Sequence, residues 1–564
     1  MRVRELALLA LCPPVAFWLL HFAPIAQNGF LDPFIYTGYI NNFEDLFQRY
    51  GVTYYGVRFG LVAPAELASA VFGPVAGYGA LRYAFALLAS VPFYVLVRQR
   101  FARPTALASV FLLLTSPYLA RTILWDHPDA SGVPFLFAAI CLILIEHPRR
   151  WILDAVAGIC AGLAIQSNIF AAAPFGVVLV VWSMLWLFWR RGIGALFSRL
   201  LILAICVGIV AAVASWYYQW RVNVDDIFSV TINKSVELIN GGMVQWRTPG
   251  IAWVASQWHV LTPVVLAVAA LIAGGRRPLA FQDAVMWATA TAVTVFFYVV
   301  QFAANGNSLE LFYYFSYLLP FVFLLLALIV GHVFSDAQPG TNRRGFLLLV
   351  VTAIGPWIAH ALGSPVAVPA RVTTYLIVVT ACAGTLVLWR SVPRARSSTT
   401  PAVAAALGLT LFSSFSTPVY ARMIEVRERS GAREIDVYRV ATQLIQHVPR
   451  WSEQPGAVGF WYSNDPARYA VGSVQSTYLW SYSRLQVDDG PGMPSLTAAD
   501  LKRLQRFEMK RLILLAETPG DIAAGREALT KSDIRHALIA RRVLTSKTFT
   551  LYFELVELGA AGHP

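Results

Sequence analysis

Runs of about 18 or more mostly apolar residues recur from one end of this chain to the other, and they constrain its fold more than any other feature. Each run is long enough to cross a hydrocarbon core of about 30 Å as a helix. Of the 564 residues, 57% are hydrophobic and only 13% are charged, whereas about 25% of the residues in a soluble globular domain are charged. The sequence therefore predicts a polytopic α-helical membrane protein.

About thirteen transmembrane helices are expected. The first resembles a signal peptide, but no small-x-small cleavage site follows it, so we interpret it as an uncleaved span. The expected spans cover 5–25, 78–97, 104–123, 130–146, 152–167, 170–189, 198–218, 255–274, 282–303, 312–333, 345–362, 371–390 and 402–420.

The arginines predict the orientation of these spans. Loops such as "HPRRW", "GGRRPLAF" and "TNRRG" are basic and alternate with loops that are not. Because basic loops stay in the cytoplasm, we expect a cytoplasmic N-terminus, and an odd number of spans then places the C-terminus outside. The same loops account for the net charge of +13 without nucleic-acid binding. The five cysteines lie inside apolar spans and predict neither a disulfide nor a zinc site.

Two domains are expected. The membrane domain covers 1–421 and has long outer loops at 28–76 and 219–254. After residue 421 the charged fraction rises to roughly a quarter, and strand-like runs alternate with helical ones. Residues 422–564 are therefore expected to form a small α/β domain outside the cytoplasm.

The first outer loop contains the stretch "NNFEDLFQRYG". In it Phe43, Leu46, Phe47 and Tyr50 recur at helical spacing. This pattern predicts an amphipathic helix, which we expect at the membrane interface.

Asp32 follows the first span in the stretch "GFLDPFIYTGY" and falls on the outer side. Because Pro33 favours the first position of a helix, one interpretation is that Asp32 caps a short helix. The other is that Asp32 is a general base at the membrane surface, since a carboxylate accepts a proton from an attacking hydroxyl within hydrogen-bond reach.

A second acidic stretch, "WDHPDASGVP", lies between the third and fourth spans on the same outer side. It carries Asp126, His127 and Asp129 within four residues. These residues could begin a helix, with Asp129 in its first turn, where the helix dipole favours an acid. Asp126 and Asp129 could also be catalytic, with His127 as a substrate contact, and the two interpretations are compatible because a capped turn holds a carboxylate rigidly.

Cations and aromatics on the outer side are candidate substrate contacts. An arginine or a lysine could bind a phosphate, arginine with bidentate geometry, or could be a solvated or headgroup-facing charge. Aromatics at a span entrance also occur without any function. The candidates are Arg58, Arg121, Lys234, Arg247, Tyr313 and Tyr314.

Taken together, this layout resembles the GT-C superfamily of integral-membrane glycosyltransferases. The resemblance rests on the early outer aspartate in "FLDPFIYTGY", the acidic turn "WDHPDASGVP" before the fourth span, the many spans and the outer C-terminal domain. It covers roughly residues 1–420 and points to bacterial members akin to protein O-mannosyltransferases and the lipid A aminoarabinose transferase.

The resemblance implies a multi-pass protein of the bacterial inner membrane that contacts membrane lipids. It also implies a polyprenyl-phosphate-linked sugar donor and a lipid or glycan acceptor on the outer face. By this likeness Asp32 matches the catalytic aspartate of the first outer loop. Asp126 and Asp129 match a second acidic motif that positions the acceptor or the base.

The chain departs from the family pattern in two places. Many relatives have a second acid directly after the first, whereas Pro33 stands there in this chain, which argues against a bound divalent metal. Some relatives open a late span with Arg-Tyr, and this chain has Phe312, Tyr313 and Tyr314 instead. The sequence also lacks HExxH, GxSxG and CxxC motifs and a phosphate-cradling glycine loop. No cofactor is expected, with a divalent metal as the open alternative.

A transporter or lipid flippase of cell-envelope glycans is the main alternative. Ion-coupled transporters carry ionisable groups near mid-membrane, whereas Glu146, Asp154 and Asp283 lie near the inner ends of expected spans. A polymerase or ligase of surface polysaccharide and a non-catalytic scaffold are also open at this point.

The arginine distribution generates a test of topology. Periplasm-active and cytoplasm-active reporters fused after residues 40, 195 and 564 should show that 40 and 564 are outside and 195 is inside. A cytoplasmic signal at 40 or 564 would contradict the proposed orientation and would remove Asp32 from the outer surface.

Overall fold

The computed structural model describes most of the N-terminal two thirds of the chain and part of the C-terminal third. The described residues are 3–19, 31–41, 43–124, 127–237, 262–274, 280–303, 312–335, 440, 443, 457–462, 485–486, 509–532, 534–546 and 549–559.

The first part of the described chain is helical. Its helices are α1 (Val3–Leu19), α2 (Leu31–Asn41), α3 (Phe43–Tyr50), α4 (Phe59–Phe72), α5 (Pro74–Arg100), α6 (Arg103–Leu114), α7 (Pro117–Leu124), α8 (Asp129–Leu144), α9 (Arg150–Ser167), α10 (Ala172–Arg190), α11 (Ile193–Val222), α12 (Phe228–Glu237), α13 (Thr262–Gly274), α14 (Phe281–Ala303), α15 (Phe312–Phe315) and α16 (Leu319–Ser335). Single 3-10 turns lie at Ile169–Ala171 and Ser316–Leu318.

Helices occupy the positions of the first ten expected spans, and the last three expected spans lie outside the described residues. Within the described chain, four helices are long and apolar enough to cross a membrane, and α6 with α7 would form a fifth span as a bent pair. The four are Ala76–Arg100, Ile169–Arg190, Ile193–Val222 and Phe281–Val300. The helical membrane fold is therefore supported, and the number of about thirteen spans stays a prediction.

The expected span 104–123 is not one continuous helix. It breaks after Leu114, and α6 and α7 meet at an angle of 60°. The reason is Pro117, which lacks an N–H and disfavours a helical conformation in the residue before it. The break turns the chain toward the "WDHPD" stretch, where α8 begins.

The first outer loop is largely helical and packs on the bundle. Helix α3 forms as expected, but its apolar face is covered by protein rather than left open to lipid. Phe43 and Phe47 are buried against Tyr39 of α2 and Tyr218 of α11. This aromatic cluster fixes α2 and α3 beside the end of α11.

Three acids near the expected cytoplasmic ends of helices are ion-paired. The pairs are Arg100–Asp283 at 2.8 Å, Arg199–Asp154 at 2.9 Å and Arg190–Glu146 at 2.6 Å. In the two buried cases the arginine donates two hydrogen bonds to the carboxylate, which offsets the cost of removing the charges from water. These acids hold helices together.

Helix α4 reaches the bundle through a glycine. A Cβ atom on Gly60 would lie 2.2 Å from the backbone oxygen of Leu163 and 2.2 Å from the hydroxyl of Ser167. Only a residue without a side chain allows α4 to approach the last turn of α9 so closely. This contact places Arg58, which precedes α4, at the end of the bundle where α9 ends.

Among the described residues, the C-terminal part contains a five-stranded sheet and one helix, in line with the expected small α/β unit. The strands are β1 (Ala457–Tyr462), β2 (Leu485–Gln486), β3 (Met509–Ala516), β4 (His536–Thr545) and β5 (Thr550–Leu558), and the helix is α17 (Pro519–Lys531). Their order is β2-β1-β3-β5-β4, with β1 parallel to β2 and β3, and β5 antiparallel to β3 and β4. Whether residues 1–421 and 422–564 are separate domains stays a prediction.

A helix cap and a buried carboxylate with two arginine partners stabilise this unit. Thr518 caps α17 by accepting a hydrogen bond from the backbone N–H of Asp521 at 3.1 Å, and Pro519 takes the first helical position. On β5, Glu554 is buried and contacts Arg541 at 2.6 Å and Arg526 at 3.4 Å. Two helical runs of the sequence, "IDVYRVATQLIQHV" (435–448) and "LTAADLKRLQRF" (496–507), fall almost entirely outside the described residues.

The contact at Gly60 generates a stability prediction. Gly60→Ala should force α4 away from the backbone of α9 and cost about 1–3 kcal/mol, the usual range for overpacking. The measurement is the thermal denaturation midpoint of the purified protein, followed by size-exclusion chromatography. Gly208→Ala is the matched control, because a Cβ at Gly208 of α11 would meet open space. Equal midpoints for the two variants would contradict the close approach.

Candidate functional site

Asp129 stands in the first turn of α8 and is fully buried. Its Oδ2 lies 2.6 Å from Nδ1 of His127, and its Oδ1 accepts a hydrogen bond of 2.9 Å from Nδ2 of Asn168. A buried carboxylate is tolerated only with such partners, because burial without them costs several kcal/mol. Asp129 therefore lies in the first turn of a helix and at the same time contacts His127 of the same acidic stretch.

Asn168 joins the two helices that carry these groups. It follows the last residue of α9. Its Oδ1 accepts a hydrogen bond from the backbone N–H of Phe170 at 3.1 Å, and its Nδ2 donates a hydrogen bond to Asp129. Nearby, the hydroxyl of Ser131 on α8 donates to the hydroxyl of Ser167 on α9 at 2.9 Å. The start of α8 and the end of α9 are thus held together by side-chain hydrogen bonds.

Tyr317 completes this end of the bundle. It is fully buried in the 3-10 turn before α16, and its hydroxyl packs so closely on α8 that a Cβ on Gly132 would lie 2.7 Å from it. The Tyr317 hydroxyl lies close enough to the Asp129 carboxylate and to the Arg58 guanidinium to feel the charge of both. Tyr317 therefore lies between the acid and the cation.

Arg58 is a buried cation, only 1% exposed. Its guanidinium lies 3.8 Å from the centre of the Tyr54 ring, a cation–π contact. Burial lowers the pKa of Arg58, but its interactions with Tyr54 and Tyr36 raise that pKa by more than burial lowers it. The net change is upward, so the residue stays charged. Its Nε has no hydrogen-bond partner in the part of the chain that the structure describes.

Tyr36 links the first outer loop to the acidic turn. It is 1% exposed on α2, and its ring meets the ring of His127 edge-on, with centroids 5.5 Å apart. Asp32 lies four residues earlier in the same helix. Helix α2 begins at Leu31, so Asp32 lies within its first turn rather than before the helix. Residues four apart lie on one helical face, one turn from each other.

The other residues expected in the site are placed as follows. Arg121 of α7 is buried, as Arg58 is, so the interpretation as a solvated charge applies to neither of them. Tyr314 is partly buried and packs on Phe170 with ring centroids 5.1 Å apart. The side chains of Asp32, Lys234 and Tyr313, and the whole of Asp126 and Arg247, lie outside the described residues.

Sequence analysis missed four members of this site. Tyr36 and Tyr54 belong to the first outer loop, Asn168 ends a loop of only three residues, and Tyr317 is one of several aromatics near a span entrance. A usable signal existed for Asn168, because an asparagine directly before a helical turn is a common N-cap residue. The tyrosines carried no such signal.

Among the described residues, no three histidine, cysteine, aspartate or glutamate side chains converge to hold a metal ion. What the geometry does provide is a buried cation, a carboxylate–imidazole pair and tyrosine hydroxyls at one end of the helical bundle. Such groups can bind an anion and orient a hydroxyl or an amine.

The buried contact between Asn168 and Asp129 generates a pH prediction. Asn168→Asp places two carboxyl groups in contact, and buried like charges cannot both ionise. The folded variant should retain a proton that the unfolded chain releases, so its stability should fall as pH rises. The deficit in melting temperature against wild type should be larger at pH 8 than at pH 5.

Asn168→Ala is the control for this prediction. It removes the hydrogen bond at a cost of about 1–3 kcal/mol without adding a charge. Its deficit should change less with pH than that of Asn168→Asp. Parallel pH profiles for the two variants would contradict the contact.

The chain resembles solved membrane glycosyltransferases, as the sequence predicts. ArnT from Cupriavidus metallidurans, bound to undecaprenyl phosphate, is 14% identical with a TM-score of 0.47, over 100% of this chain and 99% of that one. An oligosaccharyltransferase from Archaeoglobus fulgidus tethered to an acceptor peptide is 14% identical with a TM-score of 0.40, over 91% and 69%. Another structure from that organism, the oligosaccharyltransferase AglB in complex with an inhibitory peptide and a dolichol-phosphate, is 13% identical with a TM-score of 0.34, over 98% and 74%.

No protein-family model matches the chain, and no curated protein matches it either. At 14% identity and a TM-score of 0.47, the likeness to ArnT assigns neither a substrate nor a residue role. The roles of the residues around Arg58 and Asp129 follow from their own chemistry.

Proposed function

We propose that this protein is an integral-membrane glycosyltransferase that moves a sugar from a polyprenyl-phosphate donor to an acceptor on the outer face of the membrane. The observation that carries the proposal is the convergence of Arg58 and the His127–Asp129 pair around Tyr317 and Tyr36, one helical turn after Asp32. This convergence supports a site for such a transfer at that end of the bundle. The layout of the sequence supports the same function.

In the proposed reaction, Asp32 accepts the proton of the acceptor hydroxyl or amine. The freed electron pair attacks the anomeric carbon on the face opposite the phosphate. The bond from that carbon to the phosphate oxygen breaks, and its electrons leave with the polyprenyl phosphate. Because the acceptor and the leaving group occupy opposite faces, the configuration at the anomeric carbon inverts.

Arg58 is proposed to stabilise the phosphate. Its charge is fixed, its position is set by Tyr54 and Tyr36, and its Nε has no partner among the described groups. Negative charge grows on the phosphate oxygen as the bond breaks, so a preorganised cation lowers the barrier most at the transition state. Arg121, Lys234 and Arg247 are proposed as further phosphate contacts, and Tyr313 and Tyr314 as contacts to the bound substrate.

The second acidic stretch is proposed to position the acceptor or the base. Asp129 fixes His127 through the contact of 2.6 Å, and Asn168 fixes Asp129. Asp126 is proposed to face the same space from the other end of the stretch. Each of these groups then needs only to lie within hydrogen-bond reach of the acceptor or of Asp32, directly or through one water.

Transport is less well supported. Glu146, Asp154 and Asp283 are each ion-paired with an arginine. A coupling ion would first have to displace the arginine from such a carboxylate, which is costly for a buried pair. The proposed location is the bacterial inner membrane, with a cytoplasmic N-terminus and the C-terminal sheet outside.

Substitution of Asp32 tests the proposal. Asp32→Asn keeps the size of the side chain and removes the basic carboxylate. General-base catalysis is typically worth about 10²–10⁴ in rate, so the turnover rate should fall by that order. The assay follows sugar transfer from polyprenyl-phosphate sugars extracted from the native host to host envelope glycans and lipids.

A structural role for Asp32 predicts a different result. An acid in the first turn of a helix contributes only about 0.3–1 kcal/mol through the helix dipole, so the Asn variant would be slightly less stable and fully active. The melting temperature of each preparation is the control for folding. Near wild-type transfer by Asp32→Asn would show that Asp32 is not the base and would redirect the search to Asp126 and Asp129.

A further inference from the structure

Helix α12 exposes a stripe of apolar side chains. Phe228 is 37% exposed, and Ile232 and Val236 are each 48% exposed. They recur every fourth residue, so they lie on one face of the helix. Ile227 and Val230 lie on the other side and pack on the aromatic cluster around Phe43. Helix α12 thus has one apolar side against the protein and a second one that faces outward.

The chain turns sharply between α11 and α12, which keeps the two helices close together. Asn223 ends α11 in the left-handed conformation with a φ of 53°, and its backbone N–H donates to the carbonyl of Gln219 at 3.1 Å. Asp226 then starts α12, since its Oδ1 accepts a hydrogen bond from the backbone N–H of Phe228 at 3.1 Å. Helix α12 therefore begins beside the last turns of α11.

Helix α11 marks the depth of the membrane at this end. Its 30 residues span about 45 Å, so it is longer than a hydrocarbon core of about 30 Å. On its side away from the bundle, exposed apolar side chains recur every fourth residue from Ile193 to Val213. Trp216 and Trp220 follow them, 62% and 66% exposed, with parallel rings 5.7 Å apart. Because tryptophan is enriched where hydrocarbon meets headgroups, these last turns lie at the membrane surface.

We propose that α12 lies in the membrane interface and inserts its apolar stripe, Phe228, Ile232 and Val236, into the leaflet at this end of α11. The stripe continues, beyond the two tryptophans, the apolar surface that α11 presents to lipid. Amphipathic helices bind a membrane surface by burying such a face below the headgroups. Insertion costs little freedom of motion, because α11 already holds α12 at the surface.

The size of the stripe argues against a stable protein partner. A specific protein–protein interface buries about 800 Å² on each partner, which requires some 20–30 residues a side. Helix α12 has ten residues and offers three exposed apolar side chains. A lipid leaflet needs no matching surface, so a stripe of this size is sufficient for it.

Insertion of α12 would set the depth of the candidate site in the membrane. Val230 of α12 packs in the same cluster as Tyr39 of α2 and Phe43 of α3. Through this cluster, the leaflet would fix how far α2 and α3 stand from the membrane surface. Helix α2 carries Asp32 and Tyr36, so both would be held near the level of the headgroups. The sequence predicts this interfacial role for α3, whereas the structure supports it for α12.

Photo-crosslinking tests the insertion directly. The full-length protein is placed in nanodiscs of phosphatidylethanolamine and phosphatidylglycerol. The photoreactive amino acid p-benzoylphenylalanine, which reacts with nearby C–H bonds, replaces Phe228, Ile232 or Val236 in turn. Each protein should form covalent adducts with lipid acyl chains, which mass spectrometry detects as the added mass of one lipid.

Asn233 is the matched control position. It is exposed and adjacent to Ile232, but it lies about 100° further round the helix. The yield of lipid adducts should be about fivefold higher at Ile232 than at Asn233, because only Ile232 would face the leaflet. Melting temperatures show that each substituted protein remains folded.

Substitution of the stripe shows whether its apolar character causes the insertion. Ile232→Ser combined with Val236→Ser should lower the yield of lipid adducts from position Phe228 about fivefold, since two buried apolar side chains are lost. Asn233→Ser lies off the stripe and should leave that yield unchanged.

Three results would overturn the proposal. They are the absence of lipid adducts at all three stripe positions, equal yields at Ile232 and Asn233, and an unchanged yield at Phe228 in the double serine variant. Adducts of twice the chain mass, without lipid adducts, would assign the stripe to a second copy, and adducts within one chain would assign it to another segment of the protein. None of these measurements requires sugar transfer, so insertion and the proposed function can each fail while the other stands.

Discussion

The hydrogen bond from Asn168 to Asp129 is the contact on which the site end of the helical bundle depends. It ties the first turn of α8 to the residue that follows α9, and it supplies a donor to a carboxylate that is fully buried. Without that donor the acid would be costly to bury and α8 would lose its fixed start. Because α4 packs on the same last turn of α9 at Gly60, the position of Arg58 depends on this junction too.

The choice of cation follows from the same burial. A lysine 1% exposed among tyrosines would tend to lose its proton, since burial disfavours the charged form. Arginine keeps its charge and stacks on an aromatic face, as Arg58 does on Tyr54. A fixed charge that is oriented before the substrate arrives needs little reorganisation during the reaction. That property suits a departing phosphate, and it is the reason that Arg58 is the proposed phosphate ligand.

Much of the fold could be predicted because apolar runs of membrane length and short strand-like runs are local signals. Asp129 and His127 were also found from local spacing, since they are two residues apart. Asn168 was missed because its partner lies 39 residues away, and no spacing rule links them. The kink at Pro117 has a local signal, because proline disfavours a helical conformation in the residue before it. Strand β4 has no such signal, because Arg541 and Arg542 interrupt its alternation of apolar residues. The structure explains Arg541 by its ion pair with Glu554 on the neighbouring strand.

The helices of the first outer loop form a platform rather than a connection. Helices α2 and α3 are fixed on α11 by aromatic contacts, and α4 is fixed on α9 by a glycine contact. The segment between α3 and α4 is thus held at both ends, and the ring of Tyr54 in its middle lies 3.8 Å from the guanidinium carbon of Arg58. In a transferase, a platform held in this way would keep the cation in place before the substrate arrives, so little reorganisation would be needed as the bond breaks.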